Sequence, residues 1–246
     1  MLNIIICGIN GEMGLNVYRR ALINNHNVIC GIDKSTVGIT DCPVFSDFDQ
    51  IRHLADVIID FSAPDVTSEL LKYATENSMP LVIGTTGHSE KQEREILNAS
   101  NIIPVFKSAN MSLGINLLIK LCKEANFNLS GFDVEIIEKH HKNKLDSPSG
   151  TAKLIIDGIN ENCNPPKSPI FGRLGQSKRT NGEIGVHSVR GGSTVGEHSV
   201  SFFGEYESIT LTHTAYSKDL FAQGAIKACE FITKQKNGLF DMQKLI

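Results

Sequence analysis

Two adjacent histidines, a nearby lysine and a Ser-Gly-Thr step fall within one short stretch, Glu138-Lys139-His140-His141-Lys142-Asn143-Lys144-Leu145-Asp146-Ser147-Pro148-Ser149-Gly150-Thr151-Ala152. Imidazoles exchange protons near neutral pH, and an ammonium holds a carboxylate as a point charge. The first free N–H groups of a helix hold another anionic oxygen. The stretch therefore offers acids, a cation and backbone donors to one small anion. Lys144 and a helix start near Ser149 or Gly150 make two anion grips, and two grips point to a dicarboxylate. If His140 and His141 both lie on a strand, alternation turns them to opposite faces, so that one donates a proton while the other binds. A single histidine is more often structural; the company of Lys144 and the helix start is what gives these two a chemical reading. No metal site is expected, because neighbouring strand histidines do not face one ion and the chain has neither His-Glu-x-x-His nor paired cysteines.

A second constellation opens the chain. The apolar run from Leu2 to Cys7 leads into Gly8-Ile9-Asn10-Gly11-Glu12-Met13-Gly14, and Leu15 to Leu22 continues as a helical run. Strand, glycine turn and helix in that order hold a dinucleotide pyrophosphate against the helix N-terminus. Asn10 takes the place of the usual second glycine. Asparagine tolerates a left-handed backbone, so the tight turn survives the change. Asp33 follows the second apolar run about 20 residues after the turn, where an acid accepts from ribose hydroxyls. Lys34, next in the chain, either pairs with the 2′-phosphate of NADP or is a solvated surface lysine, so NADH and NADPH both stay open. Phe61-Ser62 and Gly84-Thr85-Thr86-Gly87 close further strands at the edge where such a sheet meets its ligand, and are expected to flank the nicotinamide and its ribose.

These residues need elements to hold them. Up to Asn110, the apolar runs Leu2 to Cys7, Val28 to Ile32, Val57 to Phe61, Leu81 to Ile83 and Ile102 to Phe106 alternate with helical stretches. That alternation predicts a Rossmann-like parallel sheet with helices on both faces. The pattern then changes to a helix from about Gly114 to Ala125, a strand Asp133 to His140, a second helix from Ser149 or Gly150, and a Pro-rich loop from Cys163 to Pro169. Beyond it lie the strand Ile184 to Arg190 and a hairpin from Glu197 to Thr214, turning at Gly204 to Ser208. A final amphipathic helix, about Ser217 to Thr233, is expected to pack back on the first domain. The predicted class is α/β, with a dinucleotide-binding domain at 1–111 plus 217–246 and a mixed α/β substrate domain at 112–216.

Composition narrows the function. A chain of 246 residues can fold on its core without staples, and its six scattered cysteines, with no secretory signal ahead of them, read as reduced thiols in a cytoplasmic protein. A net charge of -3 gives no basic field for nucleic acid, and no apolar run suits a membrane helix. Tyr18, Tyr73, Tyr206 and Tyr216 are followed four positions on by Leu22, Asn77, Thr210 and Leu220, which excludes the Tyr-x-x-x-Lys reductases. A dinucleotide sensor without chemistry would keep the glycine turn but would not need the His-His-x-x-Lys stretch.

The chain resembles the 4-hydroxy-tetrahydrodipicolinate reductases, also called dihydrodipicolinate reductases, over essentially its whole length. The resemblance rests on the glycine turn, Val82-Ile83-Gly84-Thr85-Thr86-Gly87, Ser108-Ala109-Asn110-Met111-Ser112-Leu113-Gly114-Ile115-Asn116, Glu135-Ile136-Ile137-Glu138-Lys139-His140-His141, Asp146-Ser147-Pro148-Ser149-Gly150-Thr151-Ala152 and Val195-Gly196-Glu197-His198. It implies hydride transfer from NADH or NADPH to a small cyclic dicarboxylate, with loss of water, in lysine and diaminopimelate synthesis. Carried over, it implies His140 as proton donor and His141 as a substrate ligand. Lys144 matches a lysine with both roles, and Ser149, Gly150 and Thr151 match the carboxylate cradle. Cofactor contacts implied are Gly8, Ile9, Asn10, Gly11, Glu12 and Met13 at the pyrophosphate, Asp33 and Lys34 at the adenosine ribose, Gly84, Thr85 and Thr86 in the middle, and Ser108, Ala109, Asn110 and Met111 at the nicotinamide. The resemblance also implies a homotetramer assembled through the second domain's sheet, and domains that close on binding. Three positions depart from its common pattern: Glu12 for arginine, Met111 for phenylalanine and Lys218 for arginine. Glu12 removes positive charge near the phosphates and so leans toward NAD.

Overall fold

The computed structural model describes residues 1–38, 40–52 and 55–246. Its chain forms two compact units, Met1–Leu113 with Asp219–Ile246, and Gly114–Lys218. The first is built on β1 (Asn3–Cys7), α1 (Glu12–Ile23), β2 (Asn27–Ile32), β3 (Val44–Phe45), β4 (Val57–Asp60), α2 (Thr67–Glu76), β5 (Leu81–Ile83), α3 (Glu90–Ser100) and β6 (Pro104–Lys107). Its strands form a parallel sheet of Rossmann type, in which β4 and β2 flank β1. Alternation along β1 explains the layering. Ile4 and Ile6 point to the face covered by Val17 and Ala21 of α1, while Ile5 and Cys7 point to the face covered by Leu70 and Ala74 of α2 and Ile96 of α3. A capping box between Ser89 and Gln92 fixes where α3 starts.

The second unit takes α4 (Leu113–Asn128) from its second residue on, then β7 (Asp133–His140), α5 (Gly150–Asn160), β8 (Ser168–Phe171), β9 (Glu183–Arg190), β10 (Gly196–Phe203) and β11 (Ser208–Ala215). The sheet order is β11-β10-β7-β9-β8, with β10 antiparallel to both its neighbours and β9 parallel to both of its own. Val134 and Ile136 of β7, Val186 of β9 and Val200 and Phe202 of β10 face Leu118 and Cys122 of α4 and Ile155 and Ile159 of α5. That α/β class, a Rossmann-type parallel sheet plus a mixed C-terminal sheet, is the one the sequence predicts.

The chain then returns to the first unit with α6 (Asp219–Ile232), β12 (Gly238–Phe240) and α7 (Met242–Leu245). Ala222, Ala225, Ala228, Cys229 and Ile232 of α6 join the Ile4 and Ile6 core, and β12 adds an edge strand beside β6. Some boundaries differ from the sequence reading. The fifth run begins as a strand only at Pro104, because Ile102 lies in a turn and is 65% exposed. Ser168 and Pro169, read as loop, start β8, an edge strand where a residue without an N–H is tolerated. β3, β12 and α7 are too short to show in a periodicity reading. Among the described residues no helix is long and apolar enough to cross a membrane.

Candidate active site

In the first unit the strand order reverses at β1, so the turn leaving β1 meets the one leaving β4. Gly8 has φ +75, and a Cβ there would lie 2.5 Å from the Phe61 carbonyl oxygen. Gly14 lets α1 approach the turn, since a Cβ would fall 2.0 Å from the Gly8 carbonyl. Gly11 caps α1 with no side-chain bond to the helix N–H groups. That leaves a pyrophosphate-sized cradle at a positive helix end. Asn10 ties the turn to the next strand: its N–H donates to Asp33 Oδ2 at 3.0 Å and its Nδ2 to the Ser35 carbonyl at 2.8 Å. Its own Oδ1 is buried without a partner among the described residues, a buried polar atom that an incoming ligand can satisfy. A cleft of about 660 Å³ lies over these residues, lined by Asp33, Lys34, Phe61, Ser62, Asp65 and Glu69 as well as the glycine turn. Its size and its donors suit a nucleotide.

The remaining residues assigned to the cofactor fall in the same unit, with different parts available. Ile9 is fully buried, so only its backbone faces the turn; Met13 is half-buried and Glu12 sits in the first turn of α1. Lys34 is exposed and its Nζ lies 3.2 Å from Asp65 Oδ2. Gly84, Thr85 and Thr86 follow β5; Thr85 is buried and Thr86 exposed. Ser108 follows β6 and donates through its hydroxyl to the Asn110 carbonyl at 2.8 Å, while Asn110 Oδ1 accepts from the Ser112 N–H at 2.8 Å. Ala109 is exposed, whereas Met111 is only 2% exposed and belongs to the hydrophobic core.

In the second unit, period-two alternation turns Glu138 and His140 to the same, helix-facing side of β7. Neighbouring strands add His198 of β10 and Ser188 of β9 opposite Glu138, and Arg190 of β9 opposite His140. Glu138 is fully buried and saturated with donors. Its Oε2 meets His140 Nδ1 at 2.6 Å and Arg190 Nη1 at 2.8 Å. Its Oε1 meets Arg190 Nη2 at 2.7 Å and the Ser149 N–H at 3.2 Å. Burial alone would raise the Glu138 pKa, but the bonds from Arg190, Ser188 and His140 hold it at about 2. Burial lowers the His140 pKa, with Lys144 and Arg190 adding to the effect and Glu138 opposing it. His140 is therefore a neutral imidazole at pH 7 before any anion binds.

The strand ends at His140, so His141 already lies in the following turn, where its carbonyl accepts from the Lys144 N–H at 3.1 Å. The opposite-face argument thus gives way to a turn that separates the two rings. Lys144 Nζ pairs with Asp146 Oδ1 at 2.6 Å. Ser149 is the N-cap of α5: its hydroxyl accepts from the Ala152 N–H at 3.1 Å and shares a 2.9 Å bond with His198 Nε2. With its hydroxyl and N–H both engaged, Ser149 braces the helix start, while Gly150 is exposed and nothing lies within 4 Å of where its Cβ would be. His198 is buried, its Nδ1 has no partner among the described residues, and burial, reinforced by His140 and His213, lowers its pKa to about 4. Among the described residues no cluster fits a metal ion. Sequence reasoning missed Glu138, Arg190 and His198 as site residues. The i, i+2 spacing of Glu138 and His140 on a strand was the available signal for the first.

Comparisons with known proteins cover the whole chain. The family described as dihydrodipicolinate reductase, N-terminus, matches residues 2–111, and its C-terminus counterpart matches residues 114–246. A 4-hydroxy-tetrahydrodipicolinate reductase of Caldanaerobacter subterraneus subsp. tengcongensis is 47% identical, with 100% of this chain and 98% of the relative aligned. One from Clostridium tetani is 44% identical, with 100% and 97% aligned. A dipicolinate-bound dihydrodipicolinate reductase from Paenisporosarcina sp. TG-14 superposes with a TM-score of 0.82 at 25% identity, covering 98% of this chain and 97% of that one. A myo-inositol dehydrogenase of Corynebacterium glutamicum, at 14% identity and a TM-score of 0.63 over 97% of this chain and 90% of its own, shares the fold.

Proposed function

The chain belongs to the dihydrodipicolinate reductase family, and from that membership we propose how its own residues carry the family's reaction. The reaction is the NAD(P)H-dependent reduction of 4-hydroxy-tetrahydrodipicolinate to tetrahydrodipicolinate with loss of water, a step in lysine and diaminopimelate biosynthesis. The observation that carries the assignment of roles is the convergence of His140, Lys144 and the start of α5 at one end of β7. Lys144, released from Asp146, holds one carboxylate of the ring. The backbone donors at Gly150 and Thr151 hold the other, Ser149 keeps their helix start in place, and His141 adds a contact from the turn. A bound dianion raises the pKa of His140, so the neutral ring becomes an imidazolium that can give up its Nε2 proton. When bound, the reduced nicotinamide supplies the hydride. Gly8, Asn10, Gly11 and the start of α1 hold its pyrophosphate, and Ser108 to Met111 form the nicotinamide end.

NADH is the preferred form in this reading. Asp33 accepts from the adenosine ribose hydroxyls, while Asp65 pairs with Lys34, the one cation lining the cleft among the described residues. Asp33, Asp65 and Glu69 then leave the mouth acidic, which disfavours a 2′-phosphate. The protein works in the cytoplasm as a homotetramer assembled through the outer face of the second unit's sheet, where Ile137 and Val189 are 40% and 47% exposed. Light scattering tests that assembly.

The deciding experiment follows loss of reduced-nicotinamide absorbance, with substrate made in place from pyruvate and aspartate semialdehyde by a coupled synthase. We expect synthase-dependent oxidation with kcat/KM higher for NADH than for NADPH. Saturable nucleotide binding without oxidation would instead favour a sensor.

A further inference from the structure

Glu138 lies behind His140, where it reaches the proton donor and the anion grip at once. It sits on β7 with no exposed surface, yet His140 Nδ1, both terminal nitrogens of Arg190 and the Ser149 N–H converge on its two oxygens, and Ser188 adds a further bond. A buried carboxylate persists only when so paired, because losing its hydration is otherwise too costly. The bidentate Arg190 fork, itself anchored to the Asp146 carbonyl at 2.7 Å, fixes the plane of the carboxylate. One oxygen is thereby aimed at the His140 ring and the other at the cap of α5.

We propose that Glu138, clamped by Arg190, is the positioning residue of the reaction: it holds His140 as the Nδ1–H tautomer, leaving Nε2 as the atom that carries and donates the proton, and keeps the α5 anion grip in register with that atom. A carboxylate at pH 7 accepts hydrogen bonds and donates none, so the 2.6 Å contact puts a proton on Nδ1. The Nε2 edge lies against Gly196 of β10, where a Cβ would be 3.1 Å away and would crowd the ring. The second bond, from the Ser149 N–H, ties the same carboxylate to the residue that starts α5. Movement of Glu138 would displace the acid and the carboxylate cradle together.

The charge of Glu138 also acts on the His140 proton. The titratable and charged groups around the ring are Glu138 on its own strand, Arg190 on β9, His198 on β10 with His213 paired to it on β11, and Lys144 with Asp146 on the turn after β7. Glu138 favours the imidazolium; Lys144 and Arg190 disfavour it. Removing the negative charge shifts the balance toward the neutral ring.

This inference rests on the assignment of His140 as the donor, and its test keeps the two apart. In wild-type protein above the His140 pKa, nitrogen-15 spectra of the imidazole should show a protonated Nδ1 and an unprotonated Nε2; the reverse tautomer would overturn the proposal without any activity measurement. Glu138→Gln should lower kcat by about 10- to 100-fold, with KM changed only a few-fold. It should also move the basic limb of the kcat profile to lower pH, and mix the two tautomers. Arg190→Lys, which keeps the cation but loses the fork, should lie between wild type and Glu138→Gln. A purely structural Glu138 would lower the melting temperature and the active fraction but leave the pH limb and tautomer unchanged in the folded protein, and that outcome refutes the positioning role. If His140→Gln turns over normally, the donor assignment fails, whatever the tautomer shows.

Discussion

His140 and Lys144 answer to different demands, and steady-state kinetics should separate them. His140→Gln keeps a polar side chain but removes the transferable proton, so kcat should fall by about 10²- to 10⁴-fold while KM stays within a few-fold. In the proposed mechanism Lys144→Ala removes the point charge that would hold a carboxylate, so KM should rise and kcat fall together. Near-normal constants in both variants would remove these two residues from the chemistry. His198 carries a separate prediction, on stability. Its folded pKa of about 4 lies below the ordinary imidazole value of 6.5, so between the two the unfolded chain binds more protons. Stability is then complete above 6.5 and declines as pH falls toward 4, by an amount on the order of 3 kcal/mol. Urea midpoints across that range should show the decline in wild type and a flatter curve in His198→Asn; parallel curves would show that this ring is not the group responsible.

At the scale of elements, close backbone approaches decide what each helix tolerates. A Cβ on Gly224 of α6 would sit 1.6 Å from the carbonyl oxygen of Met111. Gly224→Ala therefore has to push α6 off the loop that carries Ser108 to Met111, at a cost of about 1–3 kcal/mol. Calorimetry should show a lower melting temperature, and titration a weaker NADH affinity; an unchanged affinity would separate that loop from the cofactor. The long elements were legible because their patterns are local. β7 runs from Asp133 to His140 as read, since buried Val134 and Ile136 alternate with more exposed Glu135 and Ile137, and α5 starts where Ser149 caps it. β3 and β12, two and three residues long, have no period to detect and exist through pairing with β2 and β6. The site divides in the same way. Residue types and spacing mark His140, His141, Lys144 and Ser149, but a glutamate on a strand reads as solvent-facing until its partner is known. Arg190, 52 residues on, and His198 on β10 reach Glu138 only through sheet register, which no local pattern contains.

At the scale of the whole molecule, each unit has its own core and, in our reading, its own ligand. Hydrogen exchange should register this. NADH should protect amides in Met1–Leu113 and Asp219–Ile246, and pyridine-2,6-dicarboxylate those around β7 and the start of α5. Protection by NADH alone at β7 would contradict the division of ligands. The discontinuity of the first unit reaches further, into how the protein is made. During translation, β1 to β6 leave the ribosome early, but the side of their sheet bearing Ile4, Ile6 and Ile59 lacks its α6 cover until the last part of the chain is synthesised. The inserted Gly114–Lys218 segment emerges complete before that. The nascent nucleotide unit thus waits with that face covered by α1 but not yet by α6, and a stalled message or a clipped carboxyl terminus would leave a finished substrate unit attached to a dinucleotide unit whose core is incomplete.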